Sequence, residues 1–111
     1  MRKTILVLGS VAAAALALMP AAALGGARAA STHTVSLEHF AFRPATLSIR
    51  RGDSVTWVWR DSREHNVTFS GLHSRTQVHG TFTVRFTRPG TFSYRCTIHV
   101  AEGMRGRVIV H

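Results

Sequence analysis

One cysteine, Cys96, serves all 111 residues, and this excludes any intrachain disulfide. It also excludes a lipid anchor on a processed N-terminal cysteine, because no cysteine lies near the start of the chain. Acids are scarce: Glu38, Asp53, Asp61, Glu64 and Glu102 are the whole complement, too scattered in sequence to build an acidic face. Lysine occurs once, at Lys3. Beyond residue 29 no helical apolar period runs for any length, which excludes helical bundles and alternating helix–strand folds. The nucleophile elbow Gly-x-Ser-x-Gly, a phosphate-binding glycine loop and His-Glu-x-x-His are all missing, so the common hydrolase, nucleotide and zinc-protease chemistries have no sequence support.

A long run without a charge, Thr4 to Ala27, stands at the beginning. Arg2 and Lys3 precede an apolar run from Ile5 to Leu18, then alanine-rich sequence ending in Ala27-Arg28-Ala29, a small-x-small cleavage pattern. Residues 1–29 are therefore expected to be a cleaved signal peptide. No twin arginine is present, which points to Sec export of an unfolded chain into the periplasm or the medium. An uncleaved N-terminal membrane anchor is the competing reading of the same run. Residues 30–111 are expected to form one domain, small enough to bury only roughly 60% of its unfolded surface.

That remainder carries eleven arginines against five acids. Such an imbalance steers association toward an acidic protein or an anionic membrane surface. Nucleic acid is not expected as a partner, since the chain is exported and has no recognition motif.

Period-two alternation with intervening turns predicts strands over Thr34–Glu38, Thr46–Arg50, Ser54–Arg60, Asn66–Phe69, Thr81–Thr87, Thr91–Cys96 and Arg107–His111. Seven short strands in so little chain predict a β-sandwich. Leu47 with Ile49, Val55 with Trp57 and Trp59, and Phe82 with Val84 and Phe86 fall on inward faces. On the strand Thr91–Cys96, Phe92, Tyr94 and Cys96 share parity, so the sulfur is expected to point into the core. Residues Ser70 to Gly80 lack periodicity and read as a surface loop.

An exported protein normally uses cysteines in pairs, and a single one calls for an explanation. Cys96 can be an inert buried residue, or it can bind a metal. Three residues on comes His99, and five beyond that Met104, so a thiol, an imidazole and a thioether share one short loop. Thiolate and thioether favour Cu(I) and imidazole suits both copper oxidation states; two histidines, one cysteine and a weak axial methionine define an electron-transfer copper site. Zinc could use the cysteine and histidines, but the methionine adds nothing for it. The best second imidazole is His65, which directly precedes the alternating Asn66-Val67-Thr68-Phe69 and so sits at a strand mouth. His33, His39, His73, His79 and His111 lack the spacing of a second site, though His73 and His79 could take up adventitious metal.

Together, Phe42-Arg43-Pro44, Gly52-Asp53, Val55-Thr56-Trp57, His65-Asn66-Val67 and Pro89-Gly90-Thr91-Phe92-Ser93-Tyr94 running into Cys-x2-His-x4-Met resemble the small blue copper proteins, the cupredoxins of plastocyanin, amicyanin and pseudoazurin type. The ligand-loop spacing is that of plastocyanin, with Ile98 where plastocyanin has proline. The resemblance implies a Greek-key sandwich holding one type 1 copper through His65, Cys96, His99 and Met104. It also implies that Asn66 ties the ligand loops together beside the sulfur. His99 would be the electron port through an apolar patch of Ile98, Val100 and Ala101. The function implied is one-electron transfer between redox proteins by a monomer, with Arg95, Arg105 and Arg107 facing an acidic partner. Delivery, storage or resistance to copper without redox turnover is the alternative. Enzymes of this superfamily add paired His-x-His ligands, which are absent here, so no enzymatic activity is expected.

Overall fold

The computed structural model describes residues 28–111. The expected signal peptide, apart from Arg28 and Ala29, lies outside the described residues. Among those described, no helix is long and apolar enough to cross a membrane.

Two mixed sheets face each other. The first runs β2-β1-β4-β7, from Ala41–Arg43 (β2), Thr32–Glu38 (β1), Ser54–Trp59 (β4) and Thr81–Arg85 (β7). The second runs β3-β9-β8-β5-β6, from Thr46–Ile49 (β3), Arg105–Val110 (β9), Gly90–Arg95 (β8), Thr68–Phe69 (β5) and Leu72–His73 (β6). Strands β1 and β4 pair in parallel, with Val35 beside Trp57 and Leu37 beside Trp59. Strands β3 and β9 also pair in parallel. Parallel neighbours cannot be joined by a tight turn, so the chain leaves the first sheet for β3 and returns for β4, which closes the sandwich.

The alternating residues do what their period requires. Val55, Trp57 and Trp59 on β4, Val35 and Leu37 on β1, and Val108 and Val110 on β9 are buried between the sheets. Tyr94 and Cys96 are buried as their shared parity predicts, and Phe92 packs against the same core. Trp57 meets Tyr94 edge-on at 5.2 Å and Phe69 at 5.7 Å, so aromatic packing fills the centre of the sandwich.

The sandwich has nine strands among the described residues where seven are predicted. Strand β2 is three residues long, too short to show alternation. Strand β6 lies inside the predicted loop Ser70–Gly80 and pairs with β5 through Thr68 opposite His73. The same segment folds back on the site: His65 and Gln77 exchange backbone hydrogen bonds of 3.0 and 3.1 Å. Asn66 and Val67, predicted as strand, are instead loop. Their backbone N–H groups donate to side chains, Cys96 Sγ and Ser74 Oγ, and so are taken out of the ladder.

Between β1 and β2 the two-residue turn is His39-Phe40, with φ of 54° and 56°. Both residues are left-handed, as a tight hairpin whose twist matches its strands requires, although asparagine and glycine usually fill such positions. The left-handed conformation costs about 1–2 kcal/mol per residue, so neighbouring contacts must hold this turn. They come from the site.

Candidate metal centre

Cys96 follows the last residue of β8, and Met104 precedes the first of β9, so one antiparallel pair fixes both ends of the intervening loop. Cys96 N–H donates to Met104 O at 3.1 Å, and Met104 N–H to His99 O at 3.2 Å. A single 3-10 turn, Val100–Glu102, fills the interior. Gly103 ends it at φ 81°, the left-handed position that lets the chain reverse into Met104.

His65 is fully buried and held on every side. Its backbone is paired with Gln77, and its carbonyl accepts the Trp59 indole N–H at 3.0 Å. Its Nε2 stands 2.9 Å from Asp61 Oδ1. Its Nδ1 stands 3.2 Å from His99 Nδ1, and His99 Nδ1 is 3.4 Å from Cys96 Sγ. The donor atoms of His65, Cys96 and His99 all lie within 4.8 Å of one another. This is the one such group of three or more His, Cys, Asp or Glu side chains among the described residues. The other five histidines lie outside it, and Met104 is fully buried at the end of the same loop.

Asn66 joins the two halves of the site. Its Oδ1 accepts Thr97 N–H at 3.0 Å, and its amide donates to Thr97 Oγ1 and Thr76 Oγ1 at 2.9 and 3.0 Å. Its backbone N–H points at Cys96 Sγ from 3.4 Å. The side chain therefore clamps the loop that carries Cys96 to the one that carries His65, while its main chain donates to the sulfur.

Three further neighbours carry no motif. Asp61 receives His65 Nε2–H, Arg63 N–H at 3.1 Å and His39 N–H at 2.9 Å. Burial alone would raise its carboxyl pKa, but the donors Arg63, His39 and His65 outweigh that and hold it below the ordinary value. Phe40 meets His99 edge-on at 4.9 Å, and the Arg63 guanidinium lies 4.7 Å from the centre of the Phe40 ring. The one available signal was the acid four residues ahead of a histidine.

A family model described as the cupredoxin-like domain matches residues 8–110. The chain belongs to the cupredoxin-like family. This cupredoxin is 36% identical over 107 residues to amicyanin-alpha of Methylorubrum extorquens, covering 89% of this chain and 87% of that protein. It is 34% identical over 83 residues to the chloroplastic plastocyanin of Tetradesmus obliquus, covering 62% of this chain and 57% of that protein. The match thus spans little more than half of the plastocyanin. Among solved structures, a reduced amicyanin variant superimposes with a TM-score of 0.66 at 30% identity, covering 72% of this chain and 82% of that one. A Cu(I) form of another amicyanin variant gives 0.65 at 30% identity, with the same coverage.

The cupredoxin's donor chemistry fits copper. Two imidazole nitrogens and one thiol converge with no carboxylate in the group, and the buried Met104 closes the same loop, a soft set suited to Cu(I) and tolerable to Cu(II). Two Nδ1 atoms facing each other at 3.2 Å can share at most one hydrogen, so at least one of them offers a lone pair there.

Proposed function

We propose that this cupredoxin is an exported one-electron carrier that would hold one copper ion through His65, Cys96 and His99 as strong donors and Met104 as a weak fourth one. The observation that carries the reading is the convergence of two imidazoles and a thiol within 4.8 Å at the end of a packed core. Bound there, copper supplies a reversible one-electron Cu(II)/Cu(I) couple.

The chain's part is to keep the donors still. His65 is held through its backbone and its ring, and Cys96, His99 and Met104 share a loop closed by its own backbone bonds. Donors held in one geometry have little to rearrange when the charge at the site changes by one. Asn66 N–H at the sulfur withdraws electron density from it, a contact of the kind that tunes potential. With His65, Cys96, His99 and Met104 all engaged, no donor position would be left for a substrate, so the reading is of a carrier and not an enzyme.

His99 is half-buried and Ile98 beside it is 48% exposed, which makes this edge the electron port. Arg95 and Arg105 are direct cross-strand partners on the strands that lead into and out of the ligand loop, and Arg107 follows two residues on. Like charges directly opposite repel, so an acidic docking surface on a redox partner would relieve a cost already present in the free protein. An anionic membrane surface would satisfy the same arginines. A monomer suffices, since every donor comes from one chain.

Export follows from the proposed signal peptide, cleaved after Ala29 to leave residues 30–111. Copper is then acquired outside the cytoplasm. The test is to titrate the mature domain with Cu(II), then cycle it with reductant and oxidant. An intense visible band that bleaches and returns reversibly is expected. A pale complex with ordinary tetragonal resonance signals would overturn electron transfer in favour of copper handling.

A further inference from the structure

Asp61 occupies the loop after β4, four residues before His65, and its carboxylate collects three donors from two separate segments. Oδ1 faces His65 Nε2 at 2.9 Å and Arg63 N–H at 3.1 Å; Oδ2 faces His39 N–H at 2.9 Å. A carboxylate accepts and does not donate, so the His65 nitrogen facing it must carry the hydrogen. A neutral imidazole has only one. Its other nitrogen, Nδ1, is thereby left as a bare lone pair, and it is the atom directed at His99 and Cys96. The second carboxylate oxygen acts at a distance from this ring. By holding His39 N–H it braces the left-handed His39-Phe40 turn, whose Phe40 ring lies against His99 at 4.9 Å.

From this arrangement we propose that Asp61 is a positioning residue for the metal centre: it fixes His65 in the Nε2–H tautomer with Nδ1 free to ligate, and it sets the Phe40 turn that seats His99. The proposal rests on the copper-site reading above for its consequence, but not for its geometry. Carboxylate partners of this kind orient ligand rings and make them better donors, and their loss typically costs roughly 10–100-fold in metal affinity.

The alternative is a brace for the loop alone, in which Asp61 serves Arg63 and His39 and leaves the ring indifferent. The two are separated by nitrogen-15 NMR of the metal-free protein, paired with Cu(I) affinity by chelator competition, for the unaltered protein and for Asp61→Asn. In the unaltered protein His65 is expected as the Nε2–H tautomer, with that hydrogen slow to exchange. Asp61→Asn presents either an amide oxygen or an amide N–H to the ring. It is expected to give a mixture of tautomers and a 10–100-fold weaker Cu(I) affinity, while the amide spectrum stays that of a folded sandwich. Asp61→Glu should recover part of the affinity. An Nδ1–H tautomer in the unaltered protein, or equal Cu(I) affinity in the folded asparagine variant, would overturn the proposal. Should Asp61→Asn fail to fold, the tautomer of the unaltered protein still decides it. If the unaltered protein binds no copper, the reading of function fails by itself, and the tautomer pattern in the two metal-free proteins continues to judge Asp61.

Discussion

The backbone N–H of Asn66 points at the sulfur of Cys96 from 3.4 Å, across thirty residues of chain. The residue next to one proposed ligand thus donates to the atom of another, so neither loop can move without disturbing both. The Asn66 side chain repeats the connection through Thr97. A small domain with no disulfide therefore obtains its rigidity at the site from hydrogen bonds between loops.

Replacing Cys96 by serine removes the one soft anionic donor and puts a hydroxyl in a fully buried position. The intense visible band of the copper form should vanish, because it requires a copper–thiolate bond. Survival of that band in Cys96→Ser, read by absorption spectroscopy, would remove the cysteine from the site.

Met104→Gln exchanges a thioether for a harder oxygen donor. Copper should remain bound, held by the other three side chains, and the reduction potential should fall because the softer ligand favours Cu(I). The metal-free variant should also lose about 1–3 kcal/mol, since an amide is buried where Met104 had no exposure. Voltammetry and urea unfolding measure the two effects separately, and an unchanged potential would rule out Met104 as a ligand.

Gly106 faces the Tyr94 ring across the β8–β9 pair. A methyl group there would lie 2.5 Å from the Tyr94 hydroxyl and 2.6 Å from Cζ, too close for any real contact. The ring would have to move within an aromatic cluster, and overpacking of this kind costs about 1–3 kcal/mol. Because Tyr94 lies two residues before Cys96 on the same face, Gly106→Ala should also shift the visible band. Unfolding curves and the spectrum that keep their wild-type values would show that the ring has room to yield.

Asp53 lies far from the loops, with 2% of its surface exposed. The Ser31 N–H foremost, then His33, hold its carboxyl well below the ordinary 3.8, with Arg50 N–H and Arg28 adding to them against burial. Above that ordinary value both folded and unfolded chains carry it ionised, and its full contribution to stability is present. As pH falls below it the unfolded chain binds a proton first, so stability declines until the folded carboxyl is protonated too. Asp53→Asn should be less stable near neutrality, with the difference shrinking between about pH 4 and pH 2. A gap that stays constant across urea titrations in that range would contradict this. Ser31, His33 and Arg50 all follow the proposed cleavage point, so the expectation holds for the mature domain without Arg28.

Much of this was legible in order of residues alone. Alternation placed Trp57, Tyr94 and Cys96 in the core because a strand's side chains have a period of two whatever the strand pairs with. The nearness of Cys96, His99 and Met104 needed no fold, since they share one loop. His65 could be nominated from its place before a strand, but its 3.2 Å approach to His99 depends on β5 pairing with β8, strands far apart in the chain. The strand predicted over Asn66–Phe69 keeps only Thr68–Phe69 for a related reason: propensity is local, whereas the Asn66 and Val67 donors were claimed by a sulfur and a serine brought from elsewhere. Asp61, Phe40 and Arg63 belong wholly to the tertiary structure. A solitary acid, a turn phenylalanine and one arginine among many have no pattern in a chain. Their bearing on the site arises only when the loops after β1 and β4 converge on the ligand loop.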